Sequence, residues 1–181
     1  MKSAATIDWL TFTLKMVVDP VVVIRDFLAL DPDLFQSQDF GKFGYRKSMH
    51  FAGIFVYYDP AEGRKMEMGV CVSMTGVGCR TYEQHTRLTA AGTPLRALIE
   101  KIHITDMVHC TRLDLALDDK DKLLDLDRIA DCVESGCVNS RIRKRTIYRG
   151  YDGSNRSGTT IYIGAPSSDF RIRFYDKAKE K

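Results

Sequence analysis

The chain has 181 residues, 44% hydrophobic and 28% charged, with 13 Gly and 5 Pro. That balance fits one globular domain and excludes collagen-like, low-complexity and wholly disordered classes. The net charge of +3 hides an asymmetry: residues 141–181 carry eleven Lys/Arg against four acids, a balance of +7, which leaves −4 for residues 1–140. No run approaches the ~20 apolar residues of a bilayer span, and the N-terminus lacks the long apolar region of a secretion signal. A soluble cytoplasmic protein without membrane contact is expected. Five cysteines, an odd number with no CxxC pair, give neither a complete disulfide framework nor a zinc ligand set.

Taken in chain order, residues 7–14 (IDWLTFTL) alternate and are rich in β-branched and aromatic types, which predicts a strand. Asp19-Pro20 starts a helix with Val23, Ile24, Phe27, Leu28 and Leu30 as its apolar stripe, and Asp31–Ser37 reads as loop. Phe51–Tyr58 and Met66–Met74 read as strands of a hairpin closed by Asp59–Gly63, with Met66, Met68, Val70, Val72 and Met74 on one face. Gly76-Val77-Gly78 lacks the remaining residues of a nucleotide-binding loop and reads as a tight turn. Thr93-Pro94 opens a helix with Leu95, Leu98, Ile99 and Ile102 in its stripe, and Leu126, Ile129, Ala130 and Val133 form another that stops near Gly136. Strands return at Thr146–Tyr148, Thr159–Ile163 and Phe170–Tyr175. The pattern predicts a single α+β domain over 1–181, a mainly antiparallel central sheet with helices packed on one face.

Two stretches carry chemistry. In Thr111–Asp119 (TRLDLALDD), strand alternation sends Leu113, Leu115 and Leu117 toward the core and lines the other face with Arg112, Asp114, Ala116 and Asp118. Charges on a central strand need one another, a cation or a polar cleft. Asp114 and Asp118, with small Ala116 between them, leave room for a divalent metal held by oxygens; a structural Arg–Asp pair on a wet sheet face is the equal alternative. In Phe170–Lys177 (FRIRFYDK), Phe170, Ile172 and Phe174 point inward, and Arg171, Arg173 and Tyr175 point outward together. A phenol is a poor nucleophile near neutral pH, with a pKa of about 10; neighbouring cations or a metal favour phenolate, and the same cations hold a phosphate. Packing or hydrogen bonding is the commoner role of such a tyrosine. The basic C-terminal third is the electrostatic footprint of phosphate-backbone contact, or else a solvated surface without a partner. The four histidines (His50, His85, His103, His109) never form a His-hydrophobic-His triplet, and no nucleophile elbow is present.

Together, Ile7–Leu10, Met68–Val70, Thr75–Arg80, Thr111–Asp119, Thr159–Gly164 and Arg171–Glu180 resemble the replication initiation factor family, which groups rolling-circle initiators of plasmids and phages with relaxases of conjugative elements. The resemblance spans nearly the whole chain and implies a Rep/relaxase-like catalytic domain that nicks one strand of a replication or transfer origin. It implies Tyr175 as nucleophile, leaving a 5′-phosphotyrosine and a free 3′-OH. It implies Mg²⁺ or Mn²⁺ held by Asp114 and, more weakly, Asp118. DNA contacts would come from Arg112, Arg141, Arg143, Lys144, Arg145, Arg149, Arg171, Arg173 and Lys177. Host helicase or polymerase partners and a homodimer are further expectations. The chain stops six residues after Tyr175, where family members usually continue, which reads as a C-terminal truncation with Glu180 as a surviving acidic ligand. A DNA-binding protein that does not cut, or an inactive remnant, is the alternative.

Overall fold

The computed structural model describes residues 5–17, 19–61, 68–88, 95–138, 142–153 and 155–177. The chain forms two compact units, Met1–Asp118 and Asp119–Lys181.

The first unit is built on a six-stranded sheet in the order β2-β3-β4-β5-β1-β6. Its strands are β1 (Ala5–Leu14), β2 (Gln36–Gln38), β3 (Tyr45–Phe51), β4 (Ile54–Pro60), β5 (Val70–Thr75) and β6 (Val108–Leu117), all paired antiparallel. Alternation explains the layers: Leu10, Phe12 and Leu14 of β1, Ile54 and Val56 of β4, and Val70, Val72 and Met74 of β5 all lie on one buried face. Helices α2 (Gly76–Leu88) and α3 (Leu95–Ile104) cover that face with Cys79, Tyr82, Leu95, Leu98 and Ile102. The opposite face is mixed, with Trp9, Thr11 and Ser73 near its centre and a small cluster of Tyr45, Tyr57 and Cys71 farther out.

Several expectations hold, and several are corrected. Asp19 caps α1 (Pro20–Val22), its carboxylate accepting from the Val21 amide at 2.8 Å, but the chain then widens into a π-turn over Val23–Phe27. Val23, Ile24, Leu28 and Leu30 are buried as expected. Asp31–Ser37 is a 3₁₀ turn (Pro32–Leu34) running into β2 rather than a loop. Phe51–Tyr58 is not one strand. Phe51 ends β3, and Ala52-Gly53, at φ 41° and 87°, turns the chain back into β4. Gly76–Gly78 is the first turn of α2 instead of a tight turn. There the Gly78 amide donates to Thr75 Oγ1 at 3.3 Å, and a Cβ on Gly78 would sit 2.2 Å from the Gly53 carbonyl oxygen. Glycine is needed at that point because helix and hairpin backbone touch. Met66, Thr93 and Pro94 lie outside the described residues.

The largest correction concerns β6. Among the described residues it stands at the sheet edge, paired with β1 alone, not in the centre. Its leucines do face the helix side, since Leu113 pairs with Leu10, yet Leu113, Leu115 and Leu117 are 43%, 68% and 63% exposed.

In the second unit, β7 (Arg145–Asp152), β8 (Asn155–Ile163) and β9 (Ile172–Tyr175) form a three-stranded antiparallel sheet. Helix α4 (Leu126–Glu134) starts at Asp125, whose carboxylate accepts from the Asp127 and Arg128 amides at 3.0 Å. Its Ala130 and Val133 pack on Ile161, with Ile129, Val138, Ile147 and Phe174 around them. Gly150 and Gly158, expected as strand separators, pair with each other inside the β7–β8 ladder. Among the described residues no helix is long and apolar enough to cross a membrane.

Candidate functional site: a phenol on a cationic sheet face

Register divides the second unit's basic residues between two faces. Residues directly opposite in a ladder share a face, as do residues two apart in one strand. Tyr148 pairs with Thr160 and Thr160 with Tyr175; Thr146 pairs with Tyr162 and Tyr162 with Arg173. Tyr148, Thr160, Tyr162, Arg173 and Tyr175 therefore line one face. Arg145, Ile147, Arg149, Ile161 and Phe174 line the other, under α4.

On the open face the Arg173 guanidinium lies 4.2 Å from the Tyr175 ring centroid and 5.6 Å from that of Tyr162. Arg171 stacks more closely on Tyr162, at 3.8 Å, and the Tyr148 ring meets Tyr162 edge-on at 5.9 Å. Arg171 precedes β9 and is brought over the sheet by Gly164, at φ +116°, where a Cβ would lie 2.7 Å from the Phe170 carbonyl oxygen. The predicted inward positions of Ile172 and Phe174 hold, but Phe170 lies before the strand and is 61% exposed. Tyr175 is half-buried, and Arg171, Arg173 and Lys177 are exposed.

The helix face has a structural role. Arg149 bonds both carboxylate oxygens of Glu134, with its Nη2 at 3.0 Å from Oε2 and 3.6 Å from Asp131. Neighbouring carboxylates, Glu134 foremost, push Arg149 up from its ordinary pKa. Arg145 donates to the Val138 carbonyl at 2.7 Å. Of the expected basic run, Arg143 and Lys144 are exposed, and Arg141 and Glu180 lie outside the described residues.

In the first unit, Arg112 and Asp114 form the ion pair that their spacing on one strand face allowed. Arg112 Nε lies 3.0 and 3.1 Å from the two carboxylate oxygens and Nη2 lies 2.5 Å from Oδ2. The guanidinium also covers the Trp9 ring at 4.2 Å. Asp114, with Asp8 as a smaller contributor, pushes the Arg112 pKa upward. Asp8, to which sequence reasoning assigned no role, sits at a bulge of β1 and pairs with Arg80 at 3.8 Å. Asp118 lies just past β6 and is exposed.

Oxygen donors suit Mg²⁺ or Mn²⁺, but both Asp114 oxygens are engaged by Arg112, and no group of three potential metal-ligating side chains exists among the described residues. The described residues as they stand do not form a metal site. A groove of about 310 Å³ between α3 and β6 is lined by Leu10, Ile99, Ile102, Val108 and Leu113 with two histidines, and it carries none of the expected site residues.

Sequence reasoning did not place Tyr148 and Tyr162 beside Tyr175 and Arg173; alternation orders each strand by itself, and only the β7–β8–β9 register puts the four on one face.

Comparison with known proteins gives a consistent pattern. The family described as the rolling circle replication initiation protein N-terminal domain matches residues 4–94, and the replication initiation factor family matches residues 108–181. A putative DNA relaxase NicK of Bacillus subtilis (strain 168) is 27% identical over 168 residues, covering 88% of this chain and 44% of that relative. The chain thus spans less than half of that relative's length. The solved structure of a rolling circle replication initiator protein from Geobacillus stearothermophilus superposes with a TM-score of 0.80 at 30% identity, covering 97% of this chain and 68% of that one.

Proposed function

The chain belongs to the replication initiation factor family, and from that premise we propose that it starts DNA replication by nicking one strand of an origin, with Tyr175 as the nucleophile. One observation carries the reading: Tyr175 shares an open sheet face with Arg173, whose guanidinium is 4.2 Å from its ring, and that face also presents Arg171.

Tyr175 Oη attacks the phosphorus of a single-stranded phosphodiester. The Oη–P bond forms as the P–O3′ bond breaks, the phenol gives up its proton, and the departing 3′-oxygen takes one. The products are a 5′-phosphotyrosine and a free 3′-OH that a polymerase extends. Arg171 and Arg173, with Lys177, hold the phosphate oxygens and offset the charge that gathers on them in the transition state. Exposed Arg143 and Lys144 add sequence-independent affinity. Arg112 has a different part, holding Asp114 and stacking on Trp9.

The test is conversion of supercoiled origin plasmid to open circle, with and without a chelator. The parent is expected to relax plasmid and carry a covalent DNA adduct, with both lost in Tyr175→Phe. Cutting by Tyr175→Phe at the parental rate overturns the nucleophile assignment. The engagement of Asp114 by Arg112 favours a second reading, a module that binds DNA without cutting. That reading requires salt-dependent binding, indifference to chelators and no adduct.

A further inference from the structure

The open face of the three-stranded sheet holds more than the nucleophile and its cations, and we infer that Tyr148 and Tyr162 form a platform on which bases of the nicked single strand stack. The ligand class rests on the nicking reading; the platform itself rests on register and exposure.

Tyr148 is 59% exposed on the sheet face opposite α4, so its ring is accessible to a base. It occupies the same cross-strand row as Tyr175, with only Thr160 between them. Two strand spacings put the two ends of that row ~10 Å apart. A single strand lying across the sheet can therefore rest a base on Tyr148 while a nearby phosphate reaches Tyr175. Tyr162, in the next row, is edge-on to Tyr148 at 5.9 Å and carries the Arg171 guanidinium at 3.8 Å. The stacked guanidinium is itself a flat cationic surface, and a base can continue the stack on it. Holding Arg171 against a phenol also restricts its rotamers before DNA arrives, so less entropy is lost on binding.

The alternation of phenol and guanidinium is what separates this face from a general basic patch. Duplex DNA hides its base faces and offers phosphates alone, whereas an unpaired strand offers both. The platform should therefore prefer single strands and tolerate many sequences.

The experiment uses the full chain carrying Tyr175→Phe, so that binding is read without cleavage and whether or not the nicking reading holds. A short oligonucleotide containing 2-aminopurine is titrated as a single strand and as a duplex, and Tyr148→Leu, Tyr148→Phe and Tyr162→Leu are added to the background. Stacking on aromatic rings predicts quenching of the 2-aminopurine in the single strand. It predicts a loss of affinity of about 5- to 150-fold for Tyr148→Leu, and retention for Tyr148→Phe, which keeps the ring and lacks only the hydroxyl. Tyr162→Leu should lose affinity and also the contribution of Arg171, seen as a weaker salt dependence. Single-strand binding unchanged by Tyr148→Leu, or equal affinity for the duplex with no quenching, overturns the platform. Quenching and ring-dependent affinity in this background, together with a Tyr175 parent that forms no adduct on origin DNA, would leave the platform standing and remove the nickase.

Discussion

Strand register makes a sharp prediction about which arginines meet DNA. Arg171 and Arg173 are exposed on the open face, whereas Arg149 is turned under α4 and held by Glu134 and Asp131. Each phosphate neutralised on single-stranded DNA contributes about 0.7 to the slope of log affinity against log salt. Replacing Arg171 and Arg173 together by Gln should flatten that slope by about 1.4, so that a ~fourfold rise in salt weakens binding about sevenfold less than in the parent. Arg149→Gln should leave the slope unchanged and lower the melting temperature instead, because it releases α4 from β7. Fluorescence anisotropy of a labelled single strand across a salt series reads the slopes, and thermal unfolding reads the stability. A slope change for Arg149→Gln equal to that for Arg173→Gln would refute the division of faces.

Four other outcomes test the packing. Ile161 is fully buried between α4 and the sheet, so Ile161→Ala should cost about 2–5 kcal/mol, measured by urea denaturation, and a cost below ~1 kcal/mol would contradict the core assignment. Gly78→Ala should lower the melting temperature in a thermal unfolding scan, since its Cβ would stand 2.2 Å from the Gly53 carbonyl oxygen. Burial pushes the Cys71 and Cys79 thiols up from 9.0 to about 11. A raised thiol pKa favours the neutral folded form. Its stabilising effect is therefore complete below the unfolded value near 9 and is lost as pH rises toward about 11. Alkaline unfolding should begin in that window in the parent and shift upward in Cys71→Ala/Cys79→Ala only if the cavities left behind are tolerated. Iodoacetamide at neutral pH should label exposed Cys137 and spare both buried thiols, and rapid labelling of Cys71 in folded protein would contradict its burial.

Local alternation made much of this legible. The outward set Arg171, Arg173 and Tyr175 follows from a period of two, and the pairing of Arg112 with Asp114 follows from the same rule on β6. The hydrophobic stripes of α3 and α4 were equally plain, because Leu95, Leu98, Ile102, Ala130 and Val133 recur at helical spacing and are buried. What the sequence concealed is set by long-range pairing. Nothing within Thr111–Asp119 says that β6 has, among the described residues, a neighbour on one side only, and three leucines that face the helix layer are exposed. The α2 helix was hidden because Gly76 and Gly78 are ordinarily poor helix formers; they are there to let Asp8 and Gly53 approach. The basic run around residue 145 looked like one surface, and only the β7–β8 register shows that Arg145 and Arg149 point toward the helix while Tyr148 points away.

The central claim is that the Tyr175 phenol takes up a DNA phosphate. Its most direct test is trypsin digestion of protein incubated with single-stranded origin DNA, followed by mass spectrometry of the peptide Phe174–Lys177. A nucleotide remnant joined through phosphorus to Tyr175 is the expected result. An adduct mapped to another tyrosine, with Phe174–Lys177 recovered unmodified from protein that has cut DNA, would contradict it.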